Sequence, residues 1–271
     1  MRYNYEIKLL NKNEALEMVQ KYHYSNSLPK LNKYFVGFYL KNSLVGLITL
    51  GWGTRPLHTI QKLFPSLTTK DYFEIGRMCM TNEMPRNSES QMISQLVKWL
   101  KMTHPEIKVL FTWADGMLGK CGYVYQSCSF LYAGYFVTDI YMKDGIKIHP
   151  RQTRALFRES IEDKRKTIRP TLEQMNELNI QHFRGKQYKY LCFLCSKTEK
   201  KRLMKECLVD LSFNYPKDDD LLWKVKTDMG GWKESTKPPY KTDVSQDNYG
   251  LTNIDKESIK KRELGYISLF D

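Results

Sequence analysis

Apolar and polar positions along the chain predict an alternation of strands and helices. Near the start, the pattern predicts a strand at YNYEIKLL and a helix through NEALEMVQKYHYS, with Asn11 or Asn13 as its cap. This helix should end near Ser25, before Pro29. The stretch KYFVGFYLKNSLVGLITLG has two β-rich runs around Lys41–Ser43 and predicts a hairpin. The short segment TIQKLFPS then leads to an alternating strand, YFEIGRMCMT.

The clearest helical pattern lies in NSESQMISQLVKWLKMTHP. Ser88 and Gln91 have the spacing of a capping box, which predicts where this helix begins. One face carries an apolar stripe made of Met92, Ile93, Leu96, Val97 and Leu100. The following run, VLFTWAD, predicts a buried strand that ends at Asp115.

Shorter patterns follow Asp115. They predict a helix at about 120–129, a strand at FLYAGYFV and a hairpin at DIYMKDGIKIHP that turns at Asp144 and Gly145. Two helices around 151–161 and 171–178 and a last strand at QYKYLCFLC complete a predicted domain over residues 1–207. Residues 208–271 are rich in Pro, Gly, Lys and Asp without periodicity, so they predict an extension that is wrapped on the domain or partly disordered.

Length and composition predict a protein that folds alone and has no membrane segment. The chain has 271 residues, of which 41% are hydrophobic, and no run of about 20 apolar residues. Its start lacks the pattern of a signal peptide, so we expect a cytoplasmic location. The six scattered cysteines fit reduced thiols. Cys192 and Cys195 would point to opposite faces of a strand, which argues against a zinc site.

The charge of the chain favours a polyanionic partner. The net charge is +13 and the pI about 9.3. Residues 141–207 contain 17 lysines and arginines against 8 acidic residues, so this segment carries most of the excess. Such an excess predicts binding to nucleic acid, and double-stranded DNA is the expected partner. The alternative is a solvated, lysine-rich surface.

The order of the predicted elements resembles the GNAT superfamily of N-acetyltransferases, and YVYQSCSFLYAG resembles its Tyr-bearing helix, with Tyr125 and Phe130 at the matching positions. The resemblance implies an α/β (α+β) fold with a mixed, mainly antiparallel central sheet, flanking helices and a C-terminal extension. In that fold two central strands splay apart around a pantetheine-bearing cofactor. Tyr125 would return a proton to a leaving thiolate. The alternative is a half-buried aromatic residue.

A closer resemblance is to bacteriophage Mom-type proteins, which are GNAT-like enzymes that modify adenine in phage DNA. The motifs HYS, EIGRM, RNSES and ADGMLGKCGYVYQSCSFLYAG occur here in the family order, within residues 1–203. Mom-type chains often have His at the position of Cys121 and Asn at that of Ser129. The resemblance implies transfer of a small acyl or carbamoyl-type group to the N6 amino group of adenine, which would protect the DNA from host restriction nucleases.

The candidate catalytic residues are His23, Tyr24, Asp115 and Tyr125. Asp115 ends an apolar strand beside Gly116 and Gly119, where a carboxylate accepts a proton from an amine or binds a metal. The alternative is a helix cap. His23 is a candidate base, acid or ligand, although a histidine at a helix end also suits the helix dipole. Imidazole, phenolate and carboxylate together also suit an iron-like metal.

Two further sets of candidates are expected to hold the donor and the DNA. An acyl-CoA-like donor would contact Met78 and Met80 on the strand and Asn87, Ser88 and Ser90 at the start of the long helix, where backbone amides attract phosphate. The usual glycine-rich loop is absent there, and an ordinary helix cap is the alternative. The candidate DNA-binding residues are Ser25, Trp52, Trp113, Tyr123, Lys147, Arg151 and Arg154.

Three function classes stay open at this point. The favoured one is a DNA adenine-modifying transferase. The second is a GNAT acyltransferase that acts on protein, RNA or a small amine. The third is a non-catalytic DNA-binding protein, whose basic surface alone would explain the charge of the chain.

Overall fold

The computed structural model describes residues 3–25, 27–143, 146–148 and 169–235, with only the backbone for 146–148. The ten strands of this part of the chain join in one sheet. They are β1 (Glu6–Leu9), β2 (Asn32–Leu40), β3 (Ser43–Gly51), β4 (Tyr72–Met80), β5 (Val109–Asp115), β6 (Leu131–Lys143), β7 (Ile146–Ile148), β8 (Ile180–Phe193), β9 (Trp223–Lys226) and β10 (Trp232–Ser235).

The strand order is β1-β2-β3-β4-β5-β8-β6-β7, and β9 pairs with both β8 and β10. Among the described strands, β4 and β5 form the parallel pair, and the other pairs are antiparallel. The pairing of β4 with β5 ends at Ile75 and Thr112, whereas β5 continues along β8 as far as Asp115. The two central strands therefore separate, and the predicted GNAT-like α+β architecture is confirmed.

The described helices cover the two faces of the sheet. They are α1 (Lys12–Tyr22), α2 (Pro56–Gln61), α3 (Ser88–Thr103), α4 (Tyr123–Ser127), α5 (Leu172–Glu177) and α6 (Lys197–Glu206). α1 packs on Leu47 and Cys79. Ile60, at the end of α2, packs in a cluster with Phe111. The apolar stripe of α3 packs into the main core with Ile48 and Leu50.

The residues at which the helices begin agree only partly with the predicted N-caps. Asn11 caps α1 in a capping box with Glu14, which confirms one of the two predicted caps. The capping box predicted for α3 is wrong. Asn87 is the N-cap there, in a left-handed conformation with φ 71°, and the Ser88 hydroxyl donates to the Pro85 carbonyl at 2.6 Å. The apolar stripe itself is confirmed, because Met92, Ile93, Leu96 and Leu100 are buried.

Strand lengths differ most from the sequence pattern. β6 is one strand of 13 residues, where the sequence predicted a strand followed by a hairpin. A register shift between Tyr132 and Tyr135, with Gly134 at φ 80°, interrupts the alternation without ending the strand. β8 begins at Ile180, seven residues earlier than predicted, because it pairs with β6 along its length. The turn predicted at Asp144 and Gly145 and the helix predicted at 151–161 lie outside the described residues.

The described part of the C-terminal extension, residues 208–235, packs on the domain. β9 pairs with β8, and the Trp223 indole donates to the Met117 carbonyl at 3.1 Å. The Tyr215 hydroxyl donates to the Phe130 carbonyl at 2.9 Å, and the Tyr188 hydroxyl donates to the Asp220 carbonyl at 3.0 Å. These contacts hold the extension against β8 and against the turn after β5 that contains Met117.

The structure also bears on membrane helices and on the cysteines. Within the described ranges, no helix has the length and apolar character needed to cross a membrane. All six cysteines are free thiols.

Candidate active site

A strip of polar residues lies on the sheet face that carries α1 and α2, in the space between these two helices. Glu74 pairs with Phe111 across β4 and β5, and Trp113 and Asp115 follow on the same face because side chains alternate along a strand. A bulge opposite Thr49 and Leu50 shifts the register of β4, so Arg77 also faces this side. The strip starts where β4 and β5 separate.

The segment that follows α1 closes over one side of this strip. His23 is the C-cap of α1, and its ring stacks on Tyr24 with 4.2 Å between ring centroids. His23 Nδ1 lies 2.9 Å from the Ser25 amide nitrogen and 3.0 Å from the Ser25 carbonyl oxygen. These backbone contacts fix the orientation of the imidazole.

Arg77 ties this segment to the sheet. Its Nη2 donates to the Ser25 hydroxyl at 3.0 Å, and its Nε donates to the Ser27 carbonyl at 3.0 Å. Burial lowers the pKa of Arg77, while nearby Tyr24, Asp115 and Glu74 oppose that shift. The guanidinium therefore joins the segment after α1 to the carboxylates of β4 and β5.

Asp115 and Lys120 lie on the other side of the opening. Asp115 Oδ1 accepts a hydrogen bond from the Met117 amide at 3.1 Å and so caps a 3₁₀ turn at Gly116–Leu118. Gly119 adopts a left-handed conformation with φ 72°, which suits glycine. The chain then reaches Lys120, whose ammonium nitrogen lies 4.3 Å from the Tyr24 ring centroid. The structure thus brings the predicted residues His23, Tyr24 and Asp115 into one site.

Charges in this site are strongly coupled. Burial, with Arg77 and Lys120 as neighbours, lowers the pKa of His23 to about 3, so its ring is neutral near pH 7. Burial lowers the pKa of Lys120 to about 8, and Asp115 and Glu89 oppose that shift. Lys120 therefore exchanges its proton close to neutral pH.

Glu74 is the second carboxyl of the strip. Burial raises the pKa of Glu74 to about 7, against the hydrogen bond from Trp113 and the charge of Arg77. The carboxyl packs against Gly53, where a Cβ atom would lie 2.4 Å from Glu74 Oε2. Gly53 therefore leaves the room that this carboxyl occupies.

We expect the Glu74→Gln variant to be more stable than the wild type at pH 8.5 by roughly 3 kcal/mol, from a pKa shift of this size. Folding raises the pKa of Glu74, so the carboxyl stabilises the fold below pH 4.5 and this contribution is lost as pH rises through 7. Urea unfolding of both proteins at pH 5 and pH 8.5 measures the difference. An equal gap between the two proteins at both pH values would contradict this expectation.

The other predicted catalytic and stacking residues have different surroundings. Tyr125 is only 7% exposed and packs near Phe130 and Tyr190, with centroid distances of 5.7 and 5.6 Å. Burial raises its pKa. Trp52 donates its indole N–H to the Thr69 carbonyl at 2.8 Å. Tyr123 is half exposed on α4.

The predicted donor-binding side chains are mostly turned inward. Met80 is buried and Met78 packs partly buried against the main core. Ser88 is 1% exposed, and the Ser90 hydroxyl donates to the Asn87 carbonyl at 2.8 Å. Burial and the bond to Pro85 hold the Ser88 hydroxyl inside, and the assignment of Ser88 to the donor site stays a prediction. Lys147 lies on β7 without a described side chain, and Arg151 and Arg154 lie outside the described residues.

Sequence reasoning missed three charged members of the site: Glu74, Arg77 and Lys120. Each lies inside a motif that was recognised, EIGRM or ADGMLGKCG, yet none received a role. The available signal was the pair of opposite charges within an otherwise apolar strand. Their convergence with His23 required the tertiary structure.

Two cations, Arg77 and Lys120, lie beside the predicted metal ligands. Among the described residues, no three His, Cys, Asp or Glu side chains come together as ligands. Arg77 and Lys120 are both near enough to His23 to lower its pKa, and two such cations oppose a third positive charge. We therefore assign no step to the iron-like metal that the residue types suggested.

The parallel pair that separates, with the charged strip at its open end, matches the predicted GNAT-like fold. We call this region the groove; its residues are His23, Tyr24, Glu74, Arg77, Trp113, Asp115 and Lys120. Residues 4–217 match the profile of the Mom protein family, and the chain belongs to that family. It is 28% identical over 189 residues to the methylcarbamoylase mom of Escherichia phage Mu, covering 70% of this chain and 75% of that protein.

Two solved acetyltransferases also resemble the chain. One, from Bacillus subtilis in complex with CoA, is 11% identical with a TM-score of 0.37, covering 70% of this chain and 99% of that one. The other, from Staphylococcus aureus Mu50, is 14% identical with a TM-score of 0.39, covering 71% and 99%.

Proposed function

We propose that the protein is a phage DNA-modifying transferase that adds a small acyl or carbamoyl-type group to the N6 amino group of adenine. This modification would protect the DNA from host restriction nucleases. The observation that carries the proposal is the convergence of Asp115, His23, Arg77 and Lys120 where β4 and β5 separate. Membership of the Mom family and the name of the phage Mu relative support a carbamoyl-type group.

The side chains of the groove suit attack by a weak amine on an activated carbonyl. A new N–C bond forms, the carbonyl oxygen gains negative charge, the amine loses a proton, and the bond to the leaving group breaks. Asp115 accepts the amine proton, since a positioned carboxylate is a general base. Arg77 and Lys120 stabilise negative charge on the carbonyl oxygen or leaving group. The neutral ring of His23 orients the reacting groups by hydrogen bonding, because a pKa of about 3 makes it a very weak base near pH 7.

The gap between β4 and β5 suits an acyl-CoA-like donor, which supplies an acyl group on a thiolate leaving group when bound. The start of α3 borders this gap, and Glu89 there lies close enough to Lys120 to affect its pKa. The end of α4 is held against the start of α3, because the thiol of its C-cap residue Cys128 donates to the Ser90 carbonyl at 3.3 Å. Lys120 and the backbone amides of the α3 start would attract phosphate groups, while Glu89 opposes them.

We expect coenzyme A to raise the thermal midpoint of the wild-type protein, and Lys120→Met to remove most of that shift, because the variant lacks the cation beside the α3 start. Lys120→Arg, which keeps the charge, is the matched control. Differential scanning fluorimetry measures both. A wild-type protein that coenzyme A does not stabilise would exclude this class of donor.

An exposed aromatic surface on β6, next to Trp113, supports a nucleic-acid partner. Three consecutive residues of β6, Tyr135, Phe136 and Val137, are exposed, and the Lys186 ammonium lies 4.9 Å from the Tyr135 ring centroid. Phe136 contacts Trp113 edge-on at 4.9 Å. Because adenine is hidden in a duplex, a modifying enzyme flips it out or binds it unpaired, and exposed aromatic rings hold unstacked bases.

We expect binding to duplex DNA to weaken steeply with salt, because the net charge of +13 implies several phosphate contacts. Fluorescence anisotropy at several salt concentrations gives the slope of log affinity against log salt. Lys186→Gln should reduce the magnitude of this slope by about one if that lysine contacts a phosphate. Affinity that does not change between low and moderate salt would count against a DNA partner.

Mass spectrometry of nucleosides from DNA co-expressed with the protein tests the proposed function. The expected result is a deoxyadenosine of increased mass that is absent with the Asp115→Asn variant. Unmodified DNA together with acylated protein or RNA would favour another GNAT activity. Tight DNA binding without any mass change would indicate a non-catalytic DNA-binding protein.

A further inference from the structure

Gln187 lies between Asp115 and Phe136 on the sheet face of the groove. It pairs with Asp115 on β5 and with Phe136 on β6, and directly paired residues of neighbouring strands direct their side chains to the same face. The contact of the Phe136 ring with Trp113, at 4.9 Å between centroids, shows that β5 and β6 present these residues on one side. A carboxylate, an amide and an aromatic ring therefore lie side by side in one row.

The side chain of Gln187 is accessible to a ligand. Gln187 and Asp115 are both partly exposed, and Phe136 is 40% exposed at the outer end of the row. Within the described ranges, the Gln187 side chain makes no hydrogen bond, so its carbonyl oxygen and its NH₂ group are both available. Asp115 caps the following turn through Oδ1, which accepts from the Met117 amide, and this leaves Oδ2 for a substrate.

We propose that Gln187 recognises the target adenine, with its side-chain oxygen accepting a hydrogen bond from the N6 amino group and its NH₂ group donating one to N7. This inference rests on the proposed function and names the residue that orients the base. Glutamine reads adenine in DNA complexes through the same pair of bonds. The amino group carries two hydrogens, so one meets Gln187 while the other meets the Asp115 carboxylate.

The spacing of the three strands suits a single base. Directly paired residues have Cβ atoms about 5 Å apart, so Gln187 and Asp115 reach one amino group from two sides. Phe136 lies two strand spacings from Asp115, at about 10 Å. Its ring therefore packs against the base and not against the amino group, as aromatic side chains do with unstacked bases.

The carboxylate and the amide together define which base fits. Asp115 offers acceptors alone, so it does not pair with the O6 and O4 carbonyls of guanine and thymine. Cytosine has an amino group but no acceptor beside it at the major-groove edge, so the NH₂ group of Gln187 would lack a partner. Among the major-groove edges of the four bases, adenine alone satisfies both side chains.

Binding of a short single strand tests the inference without knowledge of the group donor. The probe is a DNA strand with one adenine between thymines, and the control strand carries 7-deazaadenine, in which a C–H group replaces N7. The wild type should bind the adenine strand about tenfold more tightly than the control, because the control loses the hydrogen bond from Gln187. Fluorescence anisotropy of end-labelled strands measures both affinities.

Two substitutions of the same kind separate recognition from a structural role. Gln187→Met keeps the length of the side chain but not its hydrogen bonds, so this variant should bind the two strands equally. Gln181→Met changes an exposed glutamine earlier in β8 and, as the matched control, should keep the tenfold difference. A Gln187→Met variant that keeps the difference, or a wild type that binds both strands equally, would overturn the inference.

Failure of the inference remains distinct from failure of the proposed function. Modified deoxyadenosine in co-expressed DNA, together with the same difference between strands in wild type and Gln187→Met, would reject Gln187 alone. A difference that disappears in Gln187→Met, without any modified nucleoside, would support the recognition and reject the transfer. If Gln187→Met does not fold, Gln187→Ala provides the same comparison, because it also removes both hydrogen-bonding groups.

Discussion

Replacement of Asp115 by Asn should reduce DNA modification by about 10²–10⁴-fold, the usual effect of losing a positioned general base. Asn keeps the size of the side chain and an oxygen that accepts the hydrogen bond from the Met117 amide. The 3₁₀ turn at Gly116–Leu118 therefore stays capped. The substitution therefore removes the charge and leaves the turn. Quantification of modified deoxyadenosine in plasmid DNA measures the loss.

Two measurements complete this test. The thermal midpoint and the DNA affinity of Asp115→Asn should stay close to wild type, because the carboxylate lies at the edge of the groove and not in the main core. Asp115→Ala removes the cap as well and is the matched variant for stability. If Asp115→Asn modifies DNA as efficiently as wild type, Asp115 is a cap only and the assignment of the base is wrong.

The His23→Asn variant should lose about 10²–10³-fold in modification, because the neutral imidazole positions the reacting groups by hydrogen bonding. Asn is shorter than His but retains an acceptor for the Ser25 amide, which His23 contacts at 2.9 Å. The local turn is therefore preserved while the outer ring nitrogen is removed. The measurement is again the yield of modified deoxyadenosine, at matched protein levels.

The pH profile gives an independent control for this second substitution. Because the pKa of His23 is held at about 3, its protonation does not change between pH 6 and 9. The loss in His23→Asn should therefore be the same at pH 6.5 and 8.5, whereas Lys120, with a pKa of about 8, changes charge across that window. A deficit that appears only at one end of the range would assign the effect to another group.

Arg77 explains why these residues act as one site. It binds the segment after α1 through Ser25 and Ser27, and it lies near both carboxylates of the strip. The position of His23 is thus coupled to the charges of Glu74 and Asp115. A buried cation with several fixed partners is costly to replace, since removal leaves carbonyl and carboxylate groups without compensation.

Several parts of the fold could be predicted because they depend on local sequence. The apolar stripe of α3, the hairpin of β2 and β3 and the strand ending at Asp115 follow from side-chain periodicity. The motifs HYS, EIGRM and ADGMLGKCG predicted which segments form the site. Element ends were less accurate, as the start of α3 shows, because Ser88 bonds to Pro85 and not to its own helix.

The sequence by itself determined the strand and helix order, the basic charge and the membership that the motifs implied. Only the tertiary structure decided which charged residues meet. Glu74, Arg77 and Lys120 are distant along the chain from His23, and a bulge in β4, a left-handed Gly119 and the pairing of β5 with β8 bring them together. Burial in that arrangement then sets the pKa values of His23, Glu74 and Lys120, because the cost of a buried charge depends on its neighbours in space.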